Sequence, residues 1–283
     1  MNRLEDLFAS IGAIAKIFVF LTMIALMVPV ALVWKRVSPQ NSFIVPRTFH
    51  SLVLRLLGIR LRITGTISSA SPLLFVANHA SYLDVIALGS ILSAPFIAKS
   101  EVAAWPLFGF LAKLQDTVFI ERRQARAADQ RVLLQNHFAQ RQNMILFPEG
   151  TSSDGLAVLP FKSSLFSIAE ENSLSAPVTV QPVSITCVEL DGYPLLREER
   201  ALYAWYGDMT LTPHLWNVFK RGHFTLDITF HAPILPGECA NRKILAAACQ
   251  ERVARGIELA LTGRALKKDS PLLPPKAPQT EAQ

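Results

Sequence analysis

Leu73-Leu74-Phe75-Val76-Ala77, continuing without a break into Asn78-His79-Ala80-Ser81-Tyr82-Leu83-Asp84, is the stretch from which the rest of the chain can be read. Five consecutive apolar residues have the length and composition of a buried strand, and Ser81 with Asp84 three residues on has the form of a helix start. His79 then falls on the turn between strand and helix. Five positions apart on one regular helix, His79 and Asp84 would point to different faces, whereas a histidine just before the helix can fold back over its first turn. The spacing therefore predicts a strand-to-helix elbow.

An imidazole titrates near neutral pH, and a carboxylate bonded to one ring nitrogen leaves the other free to take a proton from a hydroxyl. His79 and Asp84 together have the chemistry of a general base and its orienter. The same residues also fit a plainer pattern, in which Ser81 and Asp84 form a capping box and His79 is an ordinary loop residue. A second cluster, Phe147-Pro148-Glu149-Gly150-Thr151, follows the apolar Met144-Ile145-Leu146 and reads as the end of another buried strand carrying polar residues onto a loop. Strand ends of an open α/β sheet are where ligands bind. Taken singly, Pro148 and Gly150 are turn punctuation and Glu149 is a solvated carboxylate. The combination is the specific signal.

With these blocks in order, the chain resembles the glycerolipid acyltransferases typified by 1-acylglycerol-3-phosphate acyltransferase. The histidine-plus-aspartate block matches at His79 and Asp84, and the acidic block at residues 147 to 151. A Phe-Ile-x-Arg segment is similar at Phe119-Ile120-Glu121-Arg122, and a Val-x-Pro-Val segment at Val180-Gln181-Pro182-Val183. The resemblance implies transfer of a fatty acyl group from a thioester, on coenzyme A or acyl carrier protein, to the hydroxyl of a lysolipid. It implies no other cofactor and no metal. His79 would be the base and Asp84 its orienter, with no covalent acyl-enzyme. Arg122 would meet an acidic head group, unless it is a surface residue beside Arg123. Glu149, Gly150 and Thr151 would belong to the acceptor site.

Several positions depart from the family pattern. An Arg commonly follows the acidic block, but here Ser152-Ser153-Asp154-Gly155 does. A Phe-Lys-Lys-Gly segment becomes Phe161-Lys162-Ser163-Ser164, and the Gly that opens the Arg122 block is Asp116. Lost cations weaken the case for a phosphomonoester head group and strengthen that for another lysolipid, such as lyso-ornithine lipid. Arg122, Arg123 and Lys162 leave positive charge, so lysophosphatidic acid is ranked narrowly first. An inactive membrane-bound lipid-binding scaffold and a thioester hydrolase are the rival classes; no Gly-x-Ser-x-Gly elbow is present for a serine hydrolase.

The N-terminus points to a membrane independently of the motifs. Ile17 to Trp34 is an 18-residue stretch without a charge, long enough to be a transmembrane candidate, with Pro29 inside it. Glu5 and Asp6 argue against a cleaved leader. Spanning and re-entrant forms both fit the stretch; Lys35, Arg36, Arg47 and Arg55 follow it, against Arg3 and Lys16 before it, so if it spans the inner membrane the positive-inside bias places a catalytic body at the cytoplasmic face. Composition agrees: 51% of residues are hydrophobic, mean hydropathy is +0.30, and net charge is +6. A basic body is attracted to anionic lipid. No dense basic tract or zinc-finger spacing points to nucleic acid. The three cysteines lack metal-ligand spacing and fit a reducing compartment.

The expected organisation is an anchoring region over 1–50 with the apolar segment at 17–34, one mixed-sheet α/β domain over 51–265, and a disordered tail over 266–283. Within the domain, 51–58 reads as an interfacial helical turn and 59–63 as an alternating strand. Residues 124–142 read as a polar helix, 178–188 and 224–230 as strands, and 244–261 as a terminal helix. Trp205, Tyr206 and Trp216 are read as core packing or as acceptor or interface contacts.

Overall fold

A computed structural model of the chain describes residues 3–121, 134, 136–140, 142–170 and 177–263. The opening stretch is read correctly as a strand: β2 (Leu73–Ala77) is buried at every position. Period-2 alternation sends Leu73, Phe75 and Ala77 into one apolar layer and Leu74 and Val76 into another, so both faces of this strand are core. β5 (Met144–Leu146) lies parallel to it on one side and β6 (Thr179–Leu190) parallel on the other. β3 (Phe96–Lys99) pairs with β5, and β4 (Val118–Ile120) with β3, again in parallel.

The direction changes beyond β6. β8 (Phe224–Phe230) runs antiparallel to it, β1 (Arg60–Gly65) runs parallel to β8, and the two-residue β7 (Tyr193–Pro194) caps the long strand. The order is β1-β8-β6-β2-β5-β3-β4, a mixed sheet as expected from the alternation of strands and helices. Because β2, β3, β4, β5 and β6 point the same way, the loops after β2, β3 and β5 share one edge. The two motif clusters are on those loops.

One layer contains α1 (Arg3–Val37), α2 (Ile44–Leu57), α3 (Tyr82–Ile91) and α5 (Leu211–Lys220), and the short α4 (Phe108–Leu114) lies in the connection from β3 to β4. The other layer contains α6 (Arg242–Leu261) and the 3₁₀ segment Ser163–Glu170. The apolar stretch at 17–34 is the middle of a helix that continues through Pro29. It turns Ile17, Phe20 and Met23 toward the core while Phe8, Ile11, Phe18, Leu26 and Val33 are exposed. Each end is tied to the body by charge, Asp6 to Lys220 and Lys35 to Asp116. Asp116, which opens the Arg122 block, has a left-handed backbone with φ of 60°, a region aspartate tolerates better than most residues.

The turn expected over 51–58 is the second half of α2, which ends on Gly58 at φ 72°. Arg122 and the tail over 266–283 lie outside the described residues, as does most of the helix read over 124–142; residues 136–139 of that stretch are helical.

Candidate active site

The elbow forms because each of its polar groups finds a partner in a different element. Asn78 leaves β2 and uses its side chain as a strand would use its backbone: Nδ2 donates to the Ile185 carbonyl and Oδ1 accepts from the Ile185 N–H, both at 2.8 Å. Ser81 is the N-cap of α3, with extended backbone and a side chain that accepts from Leu83 N–H. Asp84 closes the capping box through Oδ2, which accepts the N–H groups of Ala80 (2.7 Å) and Ser81 (2.9 Å). The same oxygen lies 3.0 Å from His79 Nδ1. Cap and orienter are therefore one carboxylate, and the two readings of this motif describe the same geometry.

Asp84 is 1% exposed, and its second oxygen, Oδ1, accepts the hydroxyl of Tyr203, also fully buried. Burial, with the Asp84 charge adding to it, pushes the Tyr203 phenol well above its ordinary range, so it is a donor throughout neutral pH. With Nδ1 donating to a carboxylate, the tautomer is fixed and Nε2 is the nitrogen with which the ring can meet a substrate. The imidazole stacks on Phe147, ring centroids 4.2 Å apart, and Phe147 stacks in turn on Phe96.

The second cluster docks on the first. Glu149 Oε1 accepts the backbone N–H of His79 at 3.0 Å, and Ser153 N–H donates to the His79 carbonyl at 2.9 Å. Glu149 is 2% exposed, and its Oε2 is buried with no partner among the described residues. Desolvation pushes its carboxyl up to about 8, against the pull of the backbone N–H groups of His79 and Leu159. The solvated loop carboxylate of the plain reading is thus a buried group that is largely protonated at pH 7. Gly150 turns at φ 69°, where glycine carries no steric penalty.

His79, Gly150 and Thr151 line a cavity of about 360 Å³ over the parallel strand ends. Lys99, at the end of β3, is the one lysine or arginine among its described lining residues. Trp205 and Tyr206 line it too, whereas Trp216 packs against the core. A second cavity, about 180 Å³ and almost wholly apolar, lies between α1, α2, α3 and α4. Tyr82, Val85, Val102 and Trp105 line both, so the two share a wall.

Tyr203 and Lys99 are the site groups the motifs did not announce; Asn78 stands in the opening stretch, but its bonds to Ile185 are not legible there. Tyr203 reaches Asp84 from 119 residues away and belongs to no recognisable pattern. Lys99 had a signal of a kind, a cation directly after the apolar Phe96-Ile97-Ala98. As assembled, the site can take a proton from a hydroxyl at Nε2, stabilise the imidazolium through Asp84, and return the proton to a leaving group. No group of three or more His, Cys, Asp or Glu able to hold a metal occurs among the described residues.

Residues 59–186 match the family described as Acyltransferase. The chain is 37% identical over 261 residues to a lyso-ornithine lipid O-acyltransferase of Brucella abortus (strain 2308), covering 90% of this chain and 98% of that one. It is 30% identical over 181 residues to a 1-acyl-sn-glycerol-3-phosphate acyltransferase of Neisseria gonorrhoeae, covering 64% of this chain and 67% of the relative. In fold it is similar to the crystal structure of the 1-acyl-sn-glycerophosphate acyltransferase of Thermotoga maritima, with a TM-score of 0.64, 20% identity, and coverage of 94% of this chain and 100% of that one.

Proposed function

Because the chain belongs to the glycerolipid acyltransferase family and is an acyltransferase, we propose that it acylates the hydroxyl of a lysolipid, with lyso-ornithine lipid as the acceptor. The observation that carries the chemistry is the His79 ring, held by Asp84 at 3.0 Å on the wall of the larger cavity. In the proposed step, Nε2 takes the acceptor proton as the oxygen attacks the thioester carbonyl. The C–O bond forms, the C–S bond breaks, and the imidazolium protonates the departing thiolate. Coenzyme A or acyl carrier protein is the proposed donor, and no other cofactor enters the step.

Two observations favour lyso-ornithine lipid over lysophosphatidic acid, which the sequence alone ranked first. The relative similar over nearly its whole length acts on lyso-ornithine lipid by name. The loop at 152–155 carries Asp154 and no cation. Lys99 in the cavity suits the acidic group that either head carries. The apolar cavity suits a hydrocarbon chain and shares its wall with the site of chemistry.

The attachment we propose is to one face of the cytoplasmic membrane, with the site open to the cytoplasm. A 35-residue helix is roughly 50 Å long, and α1 is pinned to the body at both ends. Its outward apolar face supports lying along a lipid surface more than crossing it alone.

The test offers membrane-extracted protein a labelled acyl thioester with lyso-ornithine lipid, lysophosphatidic acid and a neutral lysolipid in parallel, with His79→Ala as control. Label on lyso-ornithine lipid, lost in the variant, is expected. Preference for lysophosphatidic acid would reverse the acceptor, free fatty acid would indicate hydrolysis, and an inert wild type would indicate a scaffold.

A further inference from the structure

We propose that Tyr203 is a positioning residue for this reaction: its hydroxyl fixes the Asp84 carboxylate so that Oδ2 alone faces His79. The inference rests on His79 acting as the base. Three donors converge on Oδ2, the ring Nδ1 at 3.0 Å and the N–H groups of Ala80 and Ser81 at 2.7 and 2.9 Å. None of these fixes the other oxygen. Among the described residues, the hydrogen bond received by Oδ1 comes from Tyr203. Without it, a buried anionic oxygen would lack a partner, and the carboxylate would be free to tilt out of the imidazole plane.

Tyr203 is itself well held. Its ring meets Phe224 edge-on with centroids 5.5 Å apart, its N–H donates to the Arg200 carbonyl at 3.0 Å, and the residue is 2% exposed. Two positions on, the N–H of Trp205 donates to the Ala80 carbonyl at 2.8 Å while its ring lines the larger cavity. One short segment therefore grips the catalytic turn from both sides, behind the carboxylate and beside the substrate space. Ser152 adds a bond from its hydroxyl to the Trp205 carbonyl, which ties the segment to the loop after β5.

The O–H dipole also disperses the Asp84 charge. Removing it leaves the carboxylate a stronger acceptor for His79 Nδ1–H, so the imidazole should hold its proton to higher pH. The other titratable and charged groups around this trio are Tyr82 on α3, Cys187 on β6, Glu149 on the loop after β5, and Arg200 at the head of the segment. Burial drives the Tyr82 and Cys187 titrations upward, so both stay neutral through neutral pH. Glu149 contacts the His79 backbone and is common to wild type and variant.

Tyr203→Phe deletes one oxygen. We expect kcat to fall roughly ten-fold, the loss of one hydrogen bond to a charged group, with KM within about two-fold. The acid limb of kcat against pH, and the His79 ring signal followed by NMR across pH, should both move upward relative to wild type. In an Asp84→Asn background the same change should cost less than about two-fold, because Tyr203 acts through Asp84. Site-specific 3,5-difluorotyrosine at 203, a stronger donor with little added bulk, should shift the titration the other way and serves if the Phe variant folds poorly. An unmoved His79 titration in both variants, or multiplicative losses in the double variant, would overturn the proposal. The titration needs no turnover, so an inert wild type would count against His79 as the base without obscuring this result.

Discussion

Replacing Asp84 by asparagine separates two roles that a single oxygen now combines. Asn is nearly isosteric: its Oδ1 can take the place of the aspartate Oδ2 and go on accepting from Ala80, Ser81 and His79, and its amide can donate to the Tyr203 oxygen. The cap of α3 survives, but the negative charge opposite the imidazole is gone. A hydrogen bond to a charged partner is worth about 1.5–3 kcal/mol, so at about 1.4 kcal/mol per decade Asp84→Asn should lower kcat roughly 10- to 150-fold with little change in melting temperature. Asp84→Ala should do more and differently. It removes the carboxylate arm of the capping box while Ser81 stays as N-cap, about 1 kcal/mol, and leaves the Tyr203 hydroxyl buried without its acceptor, about 1–3 kcal/mol. Stability should therefore fall by roughly 2–4 kcal/mol as well as activity. The assay pairs acyl transfer with thermal unfolding on both variants. An Asn variant with wild-type kcat would refute the orienter, and an Ala variant that melts with the wild type would refute the stabilising role of Asp84 in the capping box.

Glu149 makes a pH-dependent prediction. Its carboxyl is raised from 4.5 to about 8 in the folded chain, so between those values the unfolded chain has lost a proton that the folded chain keeps, and stability falls as pH rises across that window. Glu149→Gln, neutral throughout and still able to accept from His79 N–H, should flatten that slope in denaturant titrations at pH 5, 6.5 and 8; an unchanged slope would refute the buried acid. At Gly89 in α3, a Cβ would come within 2.0 Å of His50 Nδ1. Gly89→Ala should therefore destabilise by about 1–3 kcal/mol through overpacking, despite its better helix propensity, and His50→Ala should relieve it in the double variant. Melting curves of the three variants decide this.

What could be read from sequence follows physical range. The strand at 224–230 was legible to the residue because its alternation is local, and β2 because a five-residue apolar run between turn signals has few other uses. The elbow was legible for the same reason: the five-residue offset of His79 and Asp84 works only if the chain turns between them. The limits lie where partners are remote. α2 extends fourteen residues to the seven or eight that its apolar end announced, since Pro46 in its first turn looks like a breaker until the helix is known to start at Ile44. β3 and β4 are three or four residues long and gain their stability from neighbours in the sheet. Glu149 looked like a loop carboxylate because nothing near it in sequence reveals that the His79 backbone covers it. Tyr203 lies beyond local inference altogether, since its role exists only after β6, β8 and α3 have come together.

The paired bonds of Asn78 to Ile185 carry a consequence for how such a chain can change. A slip of one residue between β2 and β6 would break both bonds together and also send every apolar side chain of β2 to the opposite layer. The position of the imidazole is thus indexed to the same count of residues that seals the interior. Drift in one cannot be tolerated without drift in the other, so a lineage free to exchange its loops, its helices or its termini would still inherit the imidazole at one fixed coordinate.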